Sequence, residues 1–222
     1  MDFIFMLTRY DQTVEDCLEV MAEIVPVGLS QIGFKDVGVD AATLRTLNAH
    51  IKQSGATSYM EVVSTSKQAC LHSARVAAEI GVDRLLGGTD FREVLQILCG
   101  TGIEYYPFPG TPTGHPTQLG GSPDQIAAHC REFLDAGCAG VDLLAYRATD
   151  ADPLDLVRAA RQALQGARLI VAGSIDSPAR VRALAEAGTD AFTIGSAVFD
   201  GSFSPNKGAI TSRLREVTAV CS

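Results

Sequence analysis

Lysine is scarce in this chain. Its 222 residues hold Lys35, Lys52, Lys67 and Lys207. Three of these fall on helix patterns or at helix starts. Lys35 instead follows the expected second strand, 29–34, at the end where active sites of a parallel barrel lie. An ammonium placed there is costly to desolvate unless it is paired or used. It could neutralise an enediolate oxygen or, with a lowered pKa, form a Schiff base. The plainer alternative is a salt bridge to Asp36 or Glu61. Glu61 sits inside Tyr59-Met-Glu-Val-Val-Ser64 and should point into the same interior, as a general base of raised pKa or as a carboxylate pinned to Lys35. His115 lies in the long Gly/Pro-rich stretch 109–122, either as a proton donor on a closing lid or as a solvent-exposed loop histidine. Asp90 follows Gly87-Gly-Thr and could serve the site or cap the next helix. Arg147 could clamp a carboxylate or phosphate, or lie on a surface loop. Asp142 starts the sixth strand and is expected at the bottom face, supporting stability.

A second kind of site lies near the chain's end. Leu169-Ile-Val-Ala is an apolar run broken by Gly173-Ser174, and Ala191-Phe-Thr-Ile is broken in the same way by Gly195-Ser196. Between them Ser177 caps a helix with Pro178 in its first turn, and Gly188 stops it. Adjacent parallel strands that end in glycine bring bare N–H groups together, a surface that a phosphate can approach closely. Gly173, Ser174, Gly195 and Ser196 are therefore the expected phosphate-binding residues.

The elements that must position these groups follow a strand–helix rhythm. Strands are expected at 3–8, 29–34, 58–64, 84–86, 104–108, 140–145, 169–172 and 191–194. Helices are expected at 14–24, 41–53, 67–80, 91–98, 123–136, 154–164, after Ser177, and at 206–220. Eight such units predict a (β/α)8 TIM barrel, with residues 1–222 as a single domain. An open doubly wound sheet is the alternative, but no G-x-G-x-x-G fingerprint follows an early strand.

The net charge of −8 and the lack of a basic, aromatic-interleaved run exclude a nucleic-acid surface. No apolar stretch is long enough to span a membrane, and the opening of the chain does not read as a signal peptide. The six cysteines form no C-x-x-C pair, which suggests free thiols in a reducing cytoplasm. No His/Asp/Glu cluster has metal-ligand spacing, so neither metal nor cofactor is expected, although Glu61, Asp90 and His115 could meet from separate elements.

Val171-Ala-Gly-Ser-Ile together with Ile194-Gly-Ser-Ala-Val-Phe resembles the paired phosphate loops of the ribulose-phosphate-binding barrel superfamily. The nearest look is that of the histidine-biosynthesis barrels and the sugar-phosphate isomerases and epimerases. The resemblance implies that Gly173, Ser174, Gly195 and Ser196 hold a substrate phosphate. The catalytic residues do not carry over. Thr8 and Pro107 stand where the histidine-biosynthesis barrels place aspartates, and Gly33 and Gly38 stand where the D-x-K-x-x-D motif of sugar-phosphate decarboxylases needs them. The expected function is a sugar-phosphate isomerase or epimerase acting by proton transfer next to a carbonyl. Glu61 would be the base, Lys35 the enediolate stabiliser and His115 a second acid. The alternatives are a carbon–carbon lyase (a Schiff-base aldolase through Lys35, or a decarboxylase) and a non-catalytic phosphate-binding barrel. The partner is a small phosphorylated substrate, and a homo-oligomer is compatible with the sequence.

Overall fold

The computed structural model describes residues 1–64 and 66–221. In chain order the elements are β1 (Asp2–Met6), β2 (Thr8–Arg9), β3 (Gln12–Thr13), α1 (Cys17–Ile24), β4 (Gln31–Lys35), α2 (Ala41–Gln53), β5 (Thr57–Val62), α3 (Lys67–Ile80), β6 (Arg84–Gly87), α4 (Phe91–Leu98) and β7 (Glu104–Tyr106). There follow β8 (Thr111–Thr113), β9 (Gln118–Gly120), α5 (Pro123–Asp135), β10 (Gly140–Leu143), α6 (Pro153–Leu164), β11 (Arg168–Val171), α7 (Pro178–Glu186), β12 (Ala191–Ile194), α8 (Ser196–Phe199) and α9 (Ile210–Cys221).

Eight of the strands form one parallel sheet in the order β10-β11-β12-β1-β4-β5-β6-β7. Its two edges meet. The Ala139 N–H donates to Tyr105 O at 3.0 Å and the Asp142 N–H to Pro107 O at 3.1 Å. The result is the eight-stranded (β/α)8 barrel that the rhythm of the sequence predicts.

The strands are buried on both faces, so they read as apolar runs. Phe5, Phe34, Met60, Leu85, Leu169 and Phe192 face the helix layer. Ile4, Met6, Tyr59, Leu86, Tyr106, Ile170 and Ala191 fill the interior as a separate cluster. Local chemistry sets the helix starts. The side chain of Asp40 accepts from Thr43 N at 2.8 Å, that of Asp152 from Leu154 N at 2.9 Å and that of Ser122 from Gln125 N at 3.3 Å. Proline occupies the first turn of α5, α6 and α7.

Two segments depart from the sequence reading. The first helix begins at Cys17, not at 14, because β2 and β3 pair as an antiparallel hairpin. That hairpin docks on the rim: the Thr13 N–H donates to Val37 O at 2.9 Å. The second departure is 109–122, which is not an open loop. β8 and β9 pair, Leu119 within β9 is buried, and the Thr149 N–H donates to Leu119 O at 3.0 Å. The Gly110 N–H donates to Nδ1 of the half-buried His129 at 3.0 Å, tying the segment to α5.

Among the described residues all six cysteines are free. Cys17, Cys70, Cys130 and Cys138 are buried. Burial pushes the Cys130 and Cys138 thiols up to about 12, which fits inert core residues. No helix among the described residues is long and apolar enough to cross a membrane.

Candidate active site

Lys35 and Glu61 are register partners on the neighbouring parallel strands β4 and β5. Their side chains therefore lean the same way, into the barrel mouth, with Lys35 Nζ 3.0 Å from Glu61 Oε1. The β2–β3 hairpin clamps this position. Thr13 Oγ1 accepts from the Lys35 N–H at 2.8 Å and donates to Lys35 O at 2.7 Å. At the hairpin turn Tyr10 and Asp11 both adopt left-handed backbone, with φ of 50° and 59°. Such a turn favours Asn, Asp and Gly, so the exposed Tyr10 is locally unfavourable there and the ion pairs of Asp11 hold the turn. The turn aims Asp11 inward, with Oδ1 2.8 Å from Lys35 Nζ.

Arg147, on the short 3-10 turn Ala145–Arg147 after β10, completes the row. Its guanidinium grips both Asp11 oxygens, Nη1 to Oδ2 and Nη2 to Oδ1, each at 2.9 Å. Nη1 also reaches Thr117 O at 3.3 Å. The row Arg147–Asp11–Lys35–Glu61 thus alternates in charge. Burial works to raise the Asp11 pKa, but the Arg147 hydrogen bonds and the Lys35 charge outweigh it and hold the carboxyl well below the usual carboxylate range. Burial works to lower the Lys35 pKa, and the charges of Glu61 and Asp11 overcome that and raise it. Lys35 is an ammonium.

Asp36 is not the partner of Lys35. Its oxygens accept from Val63 N at 3.0 Å and from the Ser73 hydroxyl, tying the end of β4 to β5 and α3. Asp142 is not at the bottom face either. It lies within β10 and is fully buried. Burial first, and the charge of Glu61 second, oppose its ionisation, with Lys35 and Arg147 in electrostatic reach and pulling the other way. The strand begins only two residues before Asp142, at Gly140, so the sequence alone suggests the wrong end of the barrel.

A cavity of about 260 Å³ opens above the row, lined by Lys35, Glu61, Asp11 and Arg147 on one side and by Gly173, Ser174, Gly195 and Ser196 on the other. The two expected groups of site residues therefore share one mouth. Ser174 takes left-handed backbone with φ of 57°, and Ser196 opens α8. Among the described residues, none accepts a hydrogen bond from the N–H groups of Gly173, Ser174, Gly195 or Ser196. Gly173 is needed for space: a Cβ there would strike the Arg147 side chain. A Cβ on Gly195 would lie 2.7 Å from Thr8 O, so substitution would disturb the rim as well as the cavity wall.

His115 and Asp90 stand apart. His115 is exposed in the connection between β8 and β9 and does not line the cavity. Asp90 sits at the cap position of α4 without making a capping bond, and its Oδ1 is 3.9 Å from Lys67 Nζ. Among the described residues no group of three or more His, Cys, Asp or Glu could hold a metal ion, so Glu61, Asp90 and His115 do not meet. Asp11 is the member of this row that sequence reasoning missed. Tyr10-Asp11 carries no Asn-Gly signature, and the only available hint was an acidic residue between the short β-prone pairs Thr8-Arg9 and Gln12-Thr13.

No protein-family model matches the chain, and no curated protein matches it. Solved structures do. A structure described as native KDPGal superposes with a TM-score of 0.69 at 13% identity, covering 99% of this chain and 92% of the other. A 4-hydroxy-2-oxoglutarate aldolase/2-deydro-3-deoxyphosphogluconate aldolase from TTHB1 gives 0.65 at 16%, covering 99% and 94%. Orotidine 5'-phosphate decarboxylase from Pyrococcus horikoshii OT3 gives 0.63 at 13%, covering 96% and 99%. At such identities the likeness is one of fold. The class it defines is the (β/α)8 barrel, with a charged row at the C-terminal mouth where barrel enzymes place their chemistry.

Proposed function

We propose that this protein is a carbon–carbon lyase acting on a small phosphorylated substrate, with Lys35 as an ammonium that stabilises and protonates the carbanionic product. The observation that carries the reading is the buried contact of Lys35 Nζ with Asp11 at 2.8 Å and Glu61 at 3.0 Å, at the floor of a cavity whose other wall is the glycine-broken loop pair. That the barrels of similar fold include an aldolase and a decarboxylase supports cleavage chemistry over isomerisation. So does Glu61, whose salt bridge to Lys35 ties up the carboxylate that an isomerase would use as its base.

In this reading the phosphate rests on the N–H groups of Gly173, Ser174, Gly195 and Ser196, with Arg147 beside it. The substrate's carbonyl oxygen faces Lys35. When the adjacent carbon–carbon bond breaks, its electron pair remains on the carbon next to the carbonyl as an enolate. The departing carbon leaves as an aldehyde or ketone, its hydroxyl proton passing to water in the mouth, or as CO2 from a carboxylate substrate. The Lys35 ammonium stabilises the oxyanion and then gives a proton to the enolate carbon, forming the new C–H bond. The proton taken up by the mouth water, or one from solvent where CO2 has left, recharges Lys35. A Schiff base needs a neutral amine, and two carboxylates oppose that state.

A panel of phosphorylated keto acids and aldols, incubated in deuterium oxide and followed by mass spectrometry, tests the reading. The expected result is cleavage, with one solvent deuterium on the product carbon and no covalent mass after borohydride. Deuterium exchange or epimerisation without cleavage would restore the isomerase. Borohydride-dependent mass at Lys35 would make it a Schiff-base aldolase.

A further inference from the structure

Asp142, fully buried and not among the residues that line the cavity, is a carboxyl still without a role. Its side chain is fully buried, and among the described residues neither oxygen has a hydrogen-bond partner. The groups around it are known from each neighbouring element. β4 contributes Lys35, β5 contributes Glu61, the turn after β10 contributes Arg147, and beyond Arg147 lies Asp11. On the adjacent strands, β7 presents Tyr106, whose hydroxyl is engaged below by Glu104, and β11 presents the apolar Ile170 as register partner. Lys35 and Arg147 already face Asp11 and Glu61, two cations against two carboxylates. A third carboxylate would be unmatched in a dry interior, without a single donor to solvate it.

We propose that Asp142 is a positioning residue: an uncharged carboxylic acid beneath the row, whose neutrality leaves Lys35 committed to Asp11, Glu61 and the cavity. Burial first, and the charge of Glu61 second, hold its proton well above the usual carboxylate range, against the pull of Lys35 and Arg147. Loss of that proton would place a new anion under Lys35. It would compete with Glu61 for the ammonium and draw the positive charge away from the substrate. The inference rests on reading the mouth as the active site, but its consequence for Lys35 is measurable without any turnover.

The test follows the Lys35 Nζ resonance in protein carrying isotope-labelled lysine, assigned with Lys35→Arg among the four lysines. The expected result in the wild type is a step on the alkaline side of neutrality. In Asp142→Asn, a neutral mimic of similar shape, that step should be lost and the neutral-pH resonance should coincide with the wild type. In the infrared, the wild type at neutral pH should show a protonated-carboxyl band that Asp142→Asn lacks. If the variant does not fold, the wild-type band and step still decide. Absence of the band at neutral pH, a displaced Lys35 resonance in folded Asp142→Asn, or a band that vanishes on alkalinisation with no response at Lys35 would each overturn the proposal. Failure of the lyase panel with the band and step present would count against the proposed reaction and not against the role of Asp142.

Discussion

The barrel interior carries charge at both ends, and the two ends are built differently. At the bottom, the Tyr59 hydroxyl donates to Gln31 and accepts from Arg84. Arg84 Nε donates to Glu104 at 2.6 Å, the Tyr106 hydroxyl donates to the same carboxylate at 2.8 Å, and Arg168 binds Asp2 at 2.5 Å and Gln31 at 3.2 Å. Apart from Arg168 Nε, the groups of this network answer one another. Toward the mouth, polar capacity is left over among the described residues: a buried Asp142 without a hydrogen-bond partner, backbone N–H groups without acceptors, and a cavity above a row of four charges. A network that satisfies itself needs no ligand and works as a plug. One with unmet donors has something to offer a substrate.

Substitutions at the two ends should therefore fail in different ways. The largest effect is expected at Lys35. Lys35→Met should lower cleavage by about a thousandfold, as loss of a preorganised oxyanion-stabilising group does, whereas Lys35→Arg should keep part of the activity. Full turnover in the methionine variant would remove Lys35 from the chemistry and with it the functional contrast between the ends.

Next comes Arg147. Arg147→Gln should weaken inorganic phosphate binding about tenfold in calorimetry, the loss expected for one charge-assisted hydrogen bond. Tyr59→Phe should do the reverse: it should destabilise the fold by about 1–2 kcal/mol in denaturant titration and leave phosphate affinity unchanged. A shift in phosphate affinity from this bottom-face change would show that the two ends are coupled.

Acid should also separate them. The depressed Asp11 pKa stabilises the fold above the ordinary carboxylate range, and this contribution is lost as pH falls through the native value. The wild type should therefore melt above Asp11→Asn from about pH 5 upward, with the gap closing in stronger acid. A gap independent of pH would mean that the ion pairs contribute nothing. The smallest effect belongs to His115. His115→Ala should leave phosphate affinity within about twofold, since the ring stands outside the cavity.

Some of this was legible in the chain and some was not. The glycine breaks at Gly173 and Gly195 marked the two loops that line the cavity, because a strand end broken by glycine is visible in residue type. Lys35 and Glu61 were legible because each is a charge set into an apolar strand, and alternation forces such a side chain to one face. The eight-unit barrel followed from the same periodicity. His115 and Asp90 had the right chemistry, but nothing in the spacing says which way a loop is folded.

The sequence by itself determined the strands, the barrel and the residues whose side chains enter it, since these depend on local propensity and two-residue alternation. Only the tertiary structure decided which charges meet. Asp11 reaches Lys35 through a left-handed turn that no glycine announces, and Arg147 reaches Asp11 across 136 positions of chain. Asp142 became a buried acid only when the barrel closed around it and left it no donor. Pairing and desolvation are properties of the closed interior, where distance in space is set by the curvature of the sheet and not by spacing along the chain.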